Sequence, residues 1–589
     1  MNIIGLSAFY HESACCLLQD GRLAAAVSEE RFSRVKHDPR LPMQAFRYCL
    51  RAGKISLPDV DCVAYYESPG KKLSRQLWAG LPEGDADLSW LDPHQAERAI
   101  REGLGYDGPI LFFDHHQSHA ASAFFYSGFR DAALLTADGV GEWATTTYGR
   151  GEGATLEIFE EVHFPHSLGL LYATITSYLG FRVNNGEYKV MGLAPYGEPR
   201  YVDAVRELIQ TGPGGQYRLA MAYFDFVRGR RMFSSLLCDR FGAPPREPGS
   251  EIEPFHCDVA RSVQLVLEEI MLEKARYLAG RVDSGNLCMA GGVALNCVAN
   301  GRIVREGPFE RLFVQPAAGD AGGSLGAAAL AHLRLTSRRH SDEPMAHAYL
   351  GPSYSTDEVA AVLAATELPV HGFRHHEADL LEAVVDRLEA NEVVGWFQGA
   401  MEFGPRALGA RSILANPMDP DIRDWLNRMI KKREAFRPFA PSVLAEHVAD
   451  HFGLDHPSPF MLETCRLTSS LALPGVTHID GSARPQTVDG VNNPRFAALL
   501  EAFYRRTGCP MLLNTSFNVR GEPIVCSPAD ALLCMARSGL DALVLDDFLL
   551  DRDVLPEAWE ALLAAWSLRQ RSVFSQSKSA IGENLYTFV

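Results

Sequence analysis

Two stretches of this chain follow one plan, and that repetition restricts its architecture more than any other feature. Residues 2–30 read as a strand NIIGLSA, a polar turn FYHES, a strand ACCLLQ, the turn DGR and a strand LAAAVSEE. This is a three-stranded meander with a hairpin signal at Asp20-Gly21. Residues 132–162 repeat it as AALLTADG, the turn VGEW, ATTTYGRG, a glycine turn and TLEIFEEV. Residue identity between the two is slight, so the duplication is one of plan. A chain of 589 residues is also too long for a single core, and two or three domains are expected.

Duplicated lobes around a cleft are how the actin-like ATPase fold is built, with the first turn of each meander facing the nucleotide phosphates. The expected fold class is therefore α/β, a duplicated actin-like ATPase fold followed by a smaller α/β domain, an expectation by analogy of fold. A long helical stretch, CDVARSVQLVLEEIMLEKARYLAG, and a further strand, NLCMAGGVALN, complete the first part. The polar, proline-broken span LRLTSRRHSDEPMAHAYLGP marks a boundary, which gives domains at 1–345 and 346–565. The second contains the strands VVGWFQ and CPMLLNTS; the polar segment 566–589 is left outside the fold.

The formal net charge is −17, which disfavours non-specific binding of nucleic acid. No long apolar window suggests a membrane span, and MNIIGLSAFYHES lacks the basic start and apolar core of a signal peptide, so a cytoplasmic protein is expected. The 12 cysteines contain no C-x-x-C pair and read as buried thiols.

Chemistry begins in DHHQSHAASAFFY, residues 114–126. His115 and His119 are spaced to lie on one face of a helix, a common way to hold a divalent metal; His116 stands where a zinc peptidase needs glutamate, which excludes that reading. Asp138 ends a strand before a glycine-rich turn, and Asp320 sits among small residues in PAAGDAGGSLGAA. Each aspartate alone fits a turn or cap. Together the four make an N2O2 set suited to iron(II), manganese or zinc. The segment AGGVALN, 290–296, follows a strand and opens a helix, so its amides can meet phosphates. In the second half, GPRALGARS and KKREAFRP concentrate basic residues in an acidic chain, with Arg406 and Arg411 in a glycine-proline loop. Lys431, Lys432 and Arg433 equally fit a solvated helix face. Asn514, Ser516 and Asn518 in NTSFN can bind triphosphate oxygens or a metal on them.

These motifs add up. HESA at 11–14, EERFSRVKH at 29–37, DHHQSHAASA at 114–123, GEYKVMGLAPYG at 186–197 and AGGVALN resemble the O-carbamoyltransferases of antibiotic and nodulation-factor biosynthesis. So do EFGPRALGARSI at 402–413, KKREAFRPFAPSVL at 431–444, DGSARPQTV at 480–488 and NTSFNVRGEPIV at 514–525. The resemblance implies an actin-like first domain related to the threonylcarbamoyl-transfer protein, with His115, His119, Asp138 and Asp320 holding iron(II) or another divalent transition metal. It implies that Gly291, Gly292 and Asn296 grip the nucleotide and that His11 and Lys36 lie at the transfer site. An imidazole there can accept the proton of the acceptor hydroxyl, and a lysine can neutralise developing charge.

For the second half it implies a carbamoyl-adenylate synthase (YrdC-like) domain, in which Arg406, Arg411, Lys431, Arg437, Arg484, Asn514, Ser516 and Asn518 bind ATP with magnesium and carbamoyl phosphate. The function expected is ATP-dependent O-carbamoyl transfer to a hydroxyl of a small natural product. A tRNA-modifying threonylcarbamoyl transferase is the first alternative, opposed by the acidic charge and the fused second domain. A non-catalytic actin-fold ATP-binding protein is the second, and it leaves the metal set and the arginine-rich half unexplained.

Overall fold

The computed structural model describes residues 1–80, 91–229, 231–556 and 558–559; the segment 566–589 set apart above lies outside them. The described residues divide into two compact units, Met1–Glu29 with His37–Met345, and Glu30–Lys36 with those from Ala346 to 559. The segment Glu30–Lys36, read from sequence as part of the first domain, thus groups with the second unit. Arg31 donates there to the Gly404 carbonyl at 2.8 Å, and Arg34 to the Ile524 and Pro523 carbonyls at 2.6 and 2.8 Å.

The first unit holds two five-stranded sheets of one design. In the first, β1 (Asn2–Ser7), β2 (Ala14–Gln19) and β3 (Arg22–Ser28) form an antiparallel meander, and β4 (Cys62–Tyr65) and β5 (Ile110–Phe112) run parallel on the other side of β1. In the second, β6 (Asp131–Ala137), β7 (Ala144–Glu152) and β8 (Thr155–His163) form the meander. After a small ribbon of β9 (Ile209–Thr211) and β10 (Tyr217–Leu219), β11 (Asn286–Ala290) and β12 (Arg311–Val314) run parallel beside β6. The orders β3-β2-β1-β4-β5 and β8-β7-β6-β11-β12 are the same, which is the duplicated actin-like arrangement.

Local chemistry explains the meanders. Asp20 and Gly21 have φ of 49° and 78°, both positive, as a two-residue type I′ turn requires. The first turns of the two copies, 8–13 and 138–143, are equal in length. The helix Asp320–Thr336 is drawn tightly against both β1 and the helix His115–Phe124. A Cβ on Gly5 would meet the Ser324 carbonyl oxygen at 2.0 Å, and one on Gly326 the Ser118 carbonyl oxygen at 1.8 Å. Only glycine allows that approach, and it carries Asp320 to the histidines.

The second unit is built on an eight-stranded mixed sheet that contains both strands read from the sequence, Val394–Phe397 and Met511–Ser516. The strand Arg411–Ala415 lies between them, antiparallel to each. Trp396 is fully buried and donates its indole N–H to the Gly409 carbonyl at 3.0 Å. All 12 cysteines are free thiols. Among the described residues no helix is long and apolar enough to cross a membrane.

Candidate functional site

His115, His119, Asp138 and Asp320 converge in the first unit, with one ligand atom of each within 4.8 Å of all the others. His119 Nε2 lies 2.9 Å and His115 Nε2 3.3 Å from Asp138 Oδ2, and the two nitrogens are 3.0 Å apart. Asp320 Oδ1 stands 3.6 Å from His115 Nε2 and 3.8 Å from His119 Nε2. Ligands about 2.1 Å from one ion are separated by about 3.0 Å at right angles and about 3.4 Å at the tetrahedral angle. The donor set therefore fits a divalent transition metal with little adjustment. Asp320 Oδ2 is buried with no hydrogen-bond partner, which agrees with a carboxylate placed for an ion.

The surroundings hold these ligands in place. Asp138 Oδ1 accepts from the amides of Gly139 at 2.7 Å and Gly292 at 3.1 Å, which turns Oδ2 toward the histidines. Glu142 accepts the His115 amide at 2.9 Å and the Ser68 amide at 2.6 Å, serving an orphan N–H at the start of the histidine helix. His116 is tied to Thr136 Oγ at 2.6 Å and packs the helix on β6. Burial opposes charge on His115, but Asp138 and Asp320 outweigh it and push the imidazole up to about 9. Burial pushes the Asp320 carboxyl up to about 8 against the pull of His115, with Asp138, Glu12 and Glu67 adding repulsion. Burial also opposes charge on Asp138, yet hydrogen bonds with His115 and His119 hold it well below the usual carboxylate range. Glu142 escaped sequence reading, although the VGEW turn that carries it begins two residues after Asp138.

The glycine segment is closely packed. Gly291 has φ of 92°, and a Cβ there would lie 2.3 Å from the Ala137 carbonyl oxygen, so it serves close packing on β6. The Gly292 amide is spent on Asp138. Asn296 caps the helix Cys297–Glu306 by accepting the Ala299 amide at 3.0 Å and exchanges hydrogen bonds with Gln264 at 2.9 and 3.1 Å. These groups are engaged with the protein itself.

His11 lies in the first turn with its Nε2 2.8 Å from the Asn184 carbonyl oxygen. Burial, reinforced by His37, lowers it to about 4, so it is a neutral imidazole at physiological pH. Lys36, which the resemblance puts at the transfer site, directly precedes His37 and groups with the second unit.

In that unit Lys431 is 4% exposed, unlike a charge on a solvated helix face. Its ammonium donates to the Ser516 carbonyl, and to the Asn518 carbonyl and Oδ1, each at 3.0 Å. Burial, with Arg433, Lys36 and Arg437 nearby, holds it well below the usual lysine range. A buried lysine bonded to neutral oxygens and surrounded by cations suits an anionic ligand. Asn514 donates to Ser442 Oγ at 2.9 Å and Gln486 Oε1 at 3.1 Å, while its own Oδ1 is buried without a partner. Arg406, Arg437 and Arg484 are half-buried. Arg411 is different: fully buried, it donates to the carbonyls of Gln398, Ala410, Pro352 and Gly399 at 2.7 to 3.1 Å and stacks 3.6 Å over the Phe397 ring. It braces the loop.

Comparison with known proteins adds to this geometry. A family model described as Carbamoyltransferase N-terminus matches residues 2–84 and 100–329, and one described as Carbamoyltransferase C-terminus matches 385–552. An uncharacterised protein of Synechocystis sp. is 46% identical over 94% of this chain and 97% of its own length. The nodulation protein NolNO of Sinorhizobium fredii is 38% identical over 94% of this chain and 81% of its own length. A 3'-hydroxymethylcephem-O-carbamoyltransferase of Amycolatopsis lactamdurans is 27% identical over 91% and 97%.

Proposed function

Because the chain belongs to the carbamoyltransferase family, we propose that it is an ATP-dependent O-carbamoyltransferase acting on a hydroxyl of a small natural product. The observation that carries this reading is the convergence of His115, His119, Asp138 and Asp320 in a buried N2O2 set. The name of the cephem relative supports transfer to oxygen.

In the second unit carbamoyl phosphate loses its phosphate to water, and the carbamate oxygen attacks the α-phosphorus of magnesium-bound ATP. The bond to pyrophosphate breaks and carbamoyl-adenylate remains. Lys431, Ser516 and Asn518, with Arg406, Arg437 and Arg484, bind the anionic reactants; Lys36 adds its charge to this group. In the first unit the acceptor oxygen bonds to the carbamoyl carbon, the bond from that carbon to the phosphate oxygen breaks, and AMP leaves. A divalent metal such as iron(II) held by the four ligands supplies Lewis acidity toward oxygen atoms of the carbamoyl-adenylate. His11, neutral at working pH, accepts the proton of the acceptor hydroxyl as the new bond forms, and Asp138 is kept ionised and aimed by the Gly139 and Gly292 amides.

The test is to mix the protein with ATP, magnesium and carbamoyl phosphate without acceptor. Carbamoyl-adenylate detected by mass spectrometry, with pyrophosphate released, is the expected result. ATP recovered unchanged would leave an ATP-binding module and sink the proposal.

A further inference from the structure

A second group of metal-ligating side chains lies in the first unit, outside the four residues above. His11, Glu12 and His37 each offer a ligand atom within 4.8 Å of the other two. His37 Nδ1 is 3.1 Å and His11 Nδ1 3.9 Å from Glu12 Oε1. The ring centroids of His11 and His37 are 4.6 Å apart, the same separation as in the converging pair His115 and His119.

The tautomer of His11 is fixed by its surroundings. Its Nε2 faces a backbone carbonyl, which only accepts, so Nε2 carries the proton and Nδ1 presents a lone pair on the side of Glu12. Ligating histidines characteristically donate their other N–H to such a carbonyl. That carbonyl is itself anchored: Asn184 has φ of 63°, and the amides of Asn184 and Gly186 donate to the Glu187 carboxylate at 2.9 and 3.0 Å. His37 is likewise in the left-handed region at φ 56°, a conformation that side chains rarely adopt and that concentrates at functional sites. The other Glu12 oxygen passes Gly319, where a Cβ would sit 3.5 Å away, immediately before the ligand Asp320.

We propose that His11, Glu12 and His37 form a second divalent-cation site, a two-histidine, one-carboxylate set with open positions facing an acceptor hydroxyl. Such a set takes borderline ions such as zinc, iron(II) or cobalt(II) and leaves room for an oxygen ligand. The inference rests on the preceding section for its purpose and deepens the part given to His11, which acts on the hydroxyl as ligand of a cation instead of as a free base.

The experiment counts ions. Metal-stripped full-length protein is titrated with cobalt(II), followed by visible absorption, and bound cobalt per chain is measured after desalting. Two ions are expected in the wild type, and one in Glu12→Gln and in His37→Asn, each with binding of the lost ion weakened at least tenfold. Asparagine is chosen because it tolerates positive φ, so the second variant keeps the test decisive if the first folds poorly. His119→Asn should also retain one ion, the one at His11. A wild type that binds fewer than two ions, or a Glu12→Gln variant that still binds two, overturns the site and returns His11 to the role of free base. Ion counting needs no turnover, so a protein that makes no carbamoyl-adenylate refutes the proposed function without touching this result.

Discussion

Filling the four-ligand site should be an exchange of one divalent cation for two protons. In the metal-free protein at pH 7, His115 with its value near 9 is protonated and Asp320 near 8 is protonated, while Asp138 is ionised and burial and the His115 charge lower His119, leaving it neutral. The cluster is then uncharged, and with a divalent ion, two carboxylates and two neutral imidazoles it is uncharged again. His115 and Asp320 are 1% and 5% exposed, so solvent does little to screen this balance. Removing the two protons at pH 7 costs about two tenfold steps for His115 and one for Asp320, together about 4 kcal/mol. Raising the pH relieves that cost, so apparent affinity should climb with a slope near two up to about pH 8 and level off above about 9. Isothermal titration of the metal-free protein at pH 7 in two buffers of different ionisation enthalpy measures the protons released. A release near zero, or an affinity indifferent to pH between 6 and 8, would refute the charge assignment.

Three further outcomes follow from named contacts. His119→Ala should leave pyrophosphate release intact and stop transfer, whereas Arg406→Ala should stop pyrophosphate release; equal loss of pyrophosphate release in both breaks the two-site scheme. Arg411→Lys, which cannot serve four carbonyls at once, should lower the unfolding free energy of the second unit by about 3 kcal/mol in denaturant titration. Unchanged stability with weakened ATP binding would restore Arg411 to the ligand site. Gly326→Ala should cost about 2 kcal/mol or more and weaken metal binding, because the new methyl meets the Ser118 carbonyl in the histidine helix; calorimetric melting and metal titration check both effects.

Much of the first unit was legible because its signals are local. A D-G pair encodes a type I′ turn, alternating strands encode the meanders, and a spacing of four encodes a shared helical face for His115 and His119. What was not legible depends on distant partners. Nothing near Gly292 in the sequence says that its amide will meet Asp138, since β11 reaches β6 only through the strand order of the sheet. Lys431 sits in the run KKR, which reads as solvated, yet the turn after Leu426–Ile430 points it inward to Ser516 and Asn518. The carbonyls around Arg411 were hidden for a related reason: an arginine among glycines and prolines suits a phosphate, but it suits a cluster of turn carbonyls equally well. Glu30–Lys36 gave no sign of parting from its meander, because its partners Gly404, Pro523 and Ile524 lie hundreds of residues away.

The equal turns 8–13 and 138–143 place Glu12 and Glu142 at the same step of their two copies. Each glutamate receives a histidine residue, Glu142 through the backbone of His115 and Glu12 through the ring of His37. The same step of the turn is thus put to different work: at 142 it is a buried support for the start of a helix, and at 12 it stands partly exposed between two imidazoles. One loop plan used twice gives a scaffold in one half and a polar cluster in the other.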